Sequence, residues 1–287
     1  MTFPPNTHQG KRLVFVTNNS TKSRAGYTAK FKSLGLNVTA VRGSGTALRR
    51  LPPPPALDCH LPCPQQEEIF SSSFAAAAYF ESINFPKDKK VYVVGEVGIQ
   101  QELDLVGVAH TGGPADAGKT VDLAPGQFMH HDPDVAAVVV GFDRHINYFK
   151  IQYATLCIRE NPGCAFIATN TDAVTHLTDA QEWAGNGSMV GALKGSCQRE
   201  PIVVGKPAPF MLDYISKKFN VRPDQMCMVG DRLDTDILFG KDGGLRTLLV
   251  LSGVTTEEGL LSPKNSITPD FYMDSLASLN HAAPVAR

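Results

Sequence analysis

The sequence has no apolar run that approaches the ~20 residues needed to cross a bilayer. Its first residues, MTFPPNTHQGKR, lack an apolar signal core and carry too few basic residues for a transit peptide. It also has no excess of one charge. With 27 Lys and Arg against 28 Asp and Glu, the net charge is −1, so neither a nucleic-acid surface nor a polybasic membrane patch is indicated. Cysteine is sparse. Cys59, Cys63, Cys157, Cys164, Cys197 and Cys227 are scattered through a chain too long to need a disulfide framework, which indicates a reducing compartment. Cys59-His60-x-x-Cys63 has no second ligand pair and is read as an ordinary segment, not a metal fragment. No internal repeat is visible.

What the chain does have is alternation. Its 287 residues are 43% hydrophobic and 19% charged, enough for a sizeable core in one large domain or two smaller ones. Short β-branched runs at 12–19, 90–96, 135–143, 164–172, 201–207, 226–231 and 246–253 each end in a polar residue or glycine and read as buried parallel strands. Between most of them lie helical patterns, including SRAGYTAKFKSLG, SSFAAAAYFES, YFKIQYATLCIRE and APFMLDYISKKF. Strand and helix in alternation predict an α/β fold with a parallel sheet. Ligands bind such sheets at the carboxyl ends of the strands. Thr17, Asn18, Lys206 and Asp231 fall at or just past those ends.

Two stretches resist the pattern. Residues 41–66 carry four consecutive prolines and no periodicity, and NVTA would join EEIFSSS smoothly without them. They read as a disordered surface insertion or as a retained intron. The intron is preferred, because Val codons begin with GT, a Gln codon can be CAG, and the Pro, Leu and Cys codons before that end are pyrimidine-heavy. The second stretch, GNGSMVG at 185–191, is similar to a Gly-rich dinucleotide turn. It follows no strand and lacks the later acidic residue, so a loop packed between two domains is expected there.

Three segments carry phosphate chemistry. In VFVTNNSTKSR a strand ends in Thr17, Asn18, Asn19 and Ser20 before a helix, an arrangement suited to an anion and equally to a plain helix cap by Ser20 or Thr21. Lys206, between Gly205 and Pro207, can neutralise a phosphate oxygen and a neighbouring carboxylate, or be a solvated loop lysine. Asp231 directly follows a buried strand and suits a hard, oxygen-seeking cation. Asp236, five residues on, can orient it, and Asp234 reads as a solvated turn residue.

The order TNNS, GKP, GDRLDTDI resembles three of the four motifs of the haloacid dehalogenase-like phosphatases. VVVGFDRHINY and ATNTD narrow the likeness to the branch with a large α/β cap, which includes phosphoglycolate, pyridoxal-phosphate and 4-nitrophenyl phosphatases. The resemblance covers nearly the whole chain except 41–66 and is greatest to the phosphoglycolate phosphatases of plants and algae. It implies a Rossmann-like core at 1–95 and 201–287 and an inserted cap at 96–200. By position, Thr17, Asn18 and Asn19 would bind phosphate, and Lys206 would fix the phosphoryl group. Asp231 would ligate Mg²⁺ with support from Asp236. His176, with Asp143, Arg144 and Asn170, would meet the substrate from the cap, or each would serve core packing or capping. A small phosphorylated metabolite, 2-phosphoglycolate, is the implied substrate, with pyridoxal phosphate or broad specificity as the alternative. A chloroplast location, with the cytoplasm as alternative, and a homodimer through the cap are implied as well.

The resemblance also implies a first motif, Asp-x-Asp-Gly, on a central strand upstream of TNNS, whose first aspartate attacks phosphorus. The sixteen residues before Thr17 contain no aspartate. The expectation is therefore a core without its first strand, left inactive and poorly stable by a truncated start. A non-catalytic protein that binds phosphorylated metabolites is the competing reading.

Overall fold

A computed structural model of the chain describes residues 12–34, 66–178 and 180–280. The expected insertion at 41–66, apart from Gln66, lies outside the described residues, as do Cys59 and Cys63. In chain order the elements are β1 (Phe15–Thr17), α1 (Arg24–Ser33), β2 (Ile69–Ser71), α2 (Ser72–Ser82), β3 (Lys90–Val94), α3 (Val97–Leu105) and β4 (Ala109–Gly112). Then come β5 (Val135–Val140), α4 (Tyr148–Glu160), β6 (Ala165–Ala168), β7 (Val174–Thr175), β8 (Trp183–Ala184), α5 (Asn186–Cys197) and β9 (Ile202–Val203). The chain continues through α6 (Phe210–Phe219), β10 (Cys227–Gly230), α7 (Leu238–Asp242), β11 (Arg246–Val250), α8 (Glu257–Leu261) and β12 (Phe271–Met273).

Every expected strand forms, and the α/β reading holds. The largest sheet is parallel, in the order β4-β3-β5-β6-β9. Its apolar runs are continuous because both faces are covered. Val91, Val93, Ala137, Val139 and Ile167 face the alanine-rich α2 and Met211, Leu212 and Ile215 of α6. Tyr92, Val94, Val138, Val140 and Phe166 face Ala154, Cys157 and Ile158 of α4 and Met189, Val190 and Leu193 of α5. The sheet takes in strands from both sides of the expected cap, since β3 precedes residue 96 and β9 follows residue 200.

The segment expected as a loop at GNGSMVG is the start of helix α5, a correction to the sequence reading. Its glycines hide the signal, but Met189, Val190, Leu193 and Cys197 recur at helical spacing and are buried together. Ser20 and Thr21 do not cap α1. Ser23 does, accepting the Gly26 N–H, while Ser20 is fully buried and accepts the Phe142 N–H at 3.1 Å.

The three strands that lead into the phosphate motifs differ from the rest. β1 pairs only with β2, β10 only with β11, and β9 only with β6, so among the described residues all three are sheet edges. They are also more exposed than expected for buried strands, with β1 half-buried throughout.

Asp143, a sequence candidate for substrate contact, is instead committed to the interior. Its side chain is 1% exposed and takes the Nζ of fully buried Lys150 at 2.6 Å, as well as the His145 N–H. Arg144 is turned to Glu96, which it meets through two nitrogens at 2.7 and 2.8 Å. Breaking a buried pair strands an uncompensated charge. Lys150→Met should therefore lower the unfolding free energy by about 3–5 kcal/mol, whereas Lys150→Met with Asp143→Leu should recover most of that loss. Urea denaturation of the two variants measures both.

Candidate active site

The site is built where the three edge strands end. Lys206 lies just past β9, and its Nζ makes an ion pair with Asp236 and donates to the Val16 carbonyl of β1 at 3.3 Å. Its side chain is 8% exposed and that of Asp236 is 7%, so the pair is desolvated. The other oxygen of Asp236 accepts the Asp231 and Arg232 N–H groups, each at 3.1 Å. Asp236 thus closes the turn after β10 and neutralises Lys206. Gly230 is required here, because a Cβ at that position would overlap the Asp236 carboxylate.

Asn18 fastens the TNNS turn to the same lysine. Its Oδ1 accepts the Lys206 N–H at 2.8 Å and its Nδ2 donates to the Lys206 carbonyl at 2.9 Å. One side chain thereby reads both polar groups of the Lys206 backbone, as a neighbouring strand would. The same Nδ2 reaches both oxygens of Asp172, at 3.1 and 3.2 Å. The Asn18 carbonyl in turn accepts Ser72 Oγ and Asn170 Nδ2, each at 2.6 Å. Thr17 Oγ accepts the Asn19 N–H, and the Asn19 side-chain Oδ1 accepts both the N–H and the hydroxyl of Thr21. Thr17, Asn18, Asn19, Lys206, Asp231 and Asp236 are therefore brought together, and Asn170 joins them through the backbone of Asn18. His176 is exposed and directly follows β7 of the short β7–β8 hairpin.

Two residues of this assembly were not picked out from sequence. Asp172 was passed over within ATNTD because one carboxylate in a polar loop carries no periodic signal. Burial pushes its carboxyl above the ordinary carboxylate range, while the Asn18 hydrogen bond and the Arg232 and Lys206 charges pull it down. Arg232 pairs with Asp234 at 2.9 Å and reaches the Val174 carbonyl of β7 at 3.4 Å, so it ties the turn after β10 to the hairpin. Asp234 is the turn residue expected, with its side chain largely exposed.

For a divalent cation the donor chemistry is right and the protein ligands are few. Two cations, Lys206 and Arg232, share this site with four carboxylates, Asp172, Asp231, Asp234 and Asp236. That excess of oxygen donors suits a hard ion. Asp236 is occupied by Lys206 and two backbone amides, so it orients Asp231 and is not itself a free ligand. Asp231 accepts the Val254 N–H through Oδ2 at 2.9 Å, and a Cβ on Gly253 would overlap it. Among the described residues no group of three or more His, Cys, Asp or Glu is placed to hold a metal. A single protein carboxylate still fits magnesium, which usually keeps waters and takes substrate phosphate oxygens.

An HAD-hydrolase-like family model matches residues 203–279, and a haloacid dehalogenase-like hydrolase model matches residues 6–53. The chain is 63% identical over 269 residues to Phosphoglycolate phosphatase 1A, chloroplastic, of Arabidopsis thaliana, covering 94% of this chain and 67% of that protein. The chain belongs to the haloacid dehalogenase-like hydrolases. Within that family it is one of the capped phosphatases, phosphoric monoester hydrolases by class. Phosphoglycolate phosphatase 2 of Arabidopsis thaliana is 53% identical, over 94% of this chain and 82% of its own length. Among solved structures, the p-nitrophenyl phosphatase from Archaeoglobus fulgidus superposes with a TM-score of 0.71 at 29% identity, covering 96% of this chain and 87% of that one.

The geometry makes Asn18 the clamp on Lys206. Asn18→Ala should remove both backbone bonds and leave Asp172 desolvated without its donor, lowering stability by about 1–3 kcal/mol. Faster hydrogen exchange at the Lys206 amide, against an unchanged rate at Val139 in the sheet interior, would locate the effect.

Proposed function

We propose that this chain is the framework of a magnesium-dependent phosphatase that hydrolyses a small phosphomonoester, 2-phosphoglycolate, to glycolate and phosphate. The observation that carries this reading is the convergence of the three edge strands on Lys206, with Asn18 and Asp231 beside it. The names of the Arabidopsis relatives support the substrate, and "chloroplastic" in the name of one supports a chloroplast location.

In this reading Thr17, Asn18 and Asn19 take the phosphoryl oxygens, and Lys206 neutralises one of them from its fixed place. Asp231 would hold Mg²⁺, which supplies charge screening for a dianion that the surrounding carboxylates otherwise repel. His176, on the hairpin, contacts the rest of the substrate. An aspartyl-phosphate route needs a carboxylate free to attack phosphorus. Asp236 is held by Lys206 and two amides, and Asp231 by the Val254 N–H and the proposed ion. We assign the attacking aspartate to neither. The same observation favours a second reading, a phosphate-binding protein that does not turn over.

The test is phosphate release from 2-phosphoglycolate, with and without Mg²⁺. It compares the 287-residue chain with a version extended by whatever coding sequence lies upstream. Turnover by the extended protein that is lost on chelation supports the phosphatase. In that protein Lys206→Ala and Asp231→Asn should each lower kcat by about a hundredfold or more. Near-normal rates in either variant would overturn the assignment, and faster turnover of pyridoxal phosphate would replace the substrate. No turnover by either protein would leave the binding reading standing.

A further inference from the structure

Asp172 stands out once the hydrogen bonds around Asn18 are counted. The Asn18 amide has two N–H donors and one carbonyl. The carbonyl takes the Lys206 N–H, and the two donors go to the Lys206 carbonyl and to the Asp172 carboxylate. Nothing on this side chain is left for a phosphoryl oxygen. Asp172 differs from the other carboxylates nearby. Asp236 has Lys206 and Asp234 has Arg232 as a close cation, whereas Asp172 is met at hydrogen-bond distance by a neutral amide and only at longer range by Lys206 and Arg232. It is half-buried and sits on the hairpin-bearing segment. Its own N–H donates to Asn170 Oδ1 at 3.1 Å, and Asn170 is tied to the Asn18 carbonyl.

From this we infer that Asp172 is a stand-in anion: its carboxylate occupies the donor of Asn18 that a phosphoryl oxygen takes, so substrate must displace it and free phosphate is held weakly. This rests on the phosphate site proposed above. The electrostatics follow from Coulomb's law in a partly desolvated site. A phosphate dianion arriving beside Asn18 meets a carboxylate that shares its sign and its hydrogen-bond partner. It binds when the Asp172 segment swings clear, or when a cation offsets the repulsion. The loss of the Asn18 bond is then made good by the new charge-assisted bond to phosphate. Release of the product is eased in the same way, because the carboxylate returns to Asn18 as phosphate leaves. Asp172 is thus a specificity-determining residue that sets the site against small free anions. Substrates that add contacts on the hairpin overcome it.

The experiment is calorimetric titration of the full chain with inorganic phosphate at constant ionic strength and pH, with Mg²⁺ present. The variants are Asp172→Asn and Asp172→Glu. Asp172→Asn keeps the shape and the bond to Asn18 but removes the charge, and it should bind phosphate roughly tenfold more tightly. Asp172→Glu restores the charge and should return affinity to within about threefold of the parent. A merely structural role predicts the opposite sign, because loosening Asn18 weakens every ligand of the site. Weaker or unchanged phosphate binding in Asp172→Asn, with phosphate bound by the parent chain, overturns the inference and leaves the phosphate site intact. If neither the parent nor Asp172→Asn binds phosphate, the site itself falls, and the inference with it.

Discussion

Lys206 and its ion pair with Asp236 are the point on which the site depends, because they join parts of the chain that share no sheet. Lys206 follows β9 in the five-stranded sheet, its Nζ bonds the Val16 carbonyl in β1, and Asp236 belongs to the turn after β10. Among the described residues each of those strands is the edge of its own sheet. An edge carries unpaired backbone groups that must find partners. Here a buried ammonium meets one such carbonyl, and a buried carboxylate meets two N–H groups. Burying two charges costs desolvation that their attraction repays only when the remaining hydrogen bonds are made. In this pair they are, so the interaction fixes geometry more than it adds stability.

The same constraint explains the electrostatics. Lys206 is paired with Asp236, and with Asp172, Asp231 and Asp234 nearby the site holds more carboxylates than cations. In the proposed reading a divalent cation would offset that excess of negative charge. Asp172 and Arg232 matter for that reason. One sits against Asn18 and the other against the hairpin, so core loops and hairpin are held together by polar contacts that a ligand can exchange.

Much of the fold was legible in the sequence. The strands at 90–94 and 135–140 read clearly because the sheet is covered on both faces, which makes the run apolar at every position. Helices α2, α4 and α6 read equally well. β2 and β4 were missed. β2 is three residues running directly into α2, and β4, Ala-His-Thr-Gly, is an edge strand with little apolar content. α5 was missed because its glycines look like a loop, and only the burial of one face shows otherwise. Thr17, Asn18, Lys206 and Asp231 were legible as polar residues at or just past strand ends. Asp143 was left open between substrate contact and core packing because nothing local says that Lys150, in the first turn of the next helix, lies fully buried beside it.

By itself, the sequence determined the α/β class, the strands that end in polar residues and the polar groups at those strand ends. These are set by local periodicity and by side-chain chemistry, which are written along the chain. Tertiary structure decided which of those groups are already engaged. Asn18 and Lys206 lie 188 positions apart, and Asn18 and Asp172 lie 154 apart. A hydrogen bond at such separation depends on how whole sheets pack, and no local pattern encodes it. Packing is also what pairs Asp236 with Lys206 and sets Asp172 against the Asn18 amide.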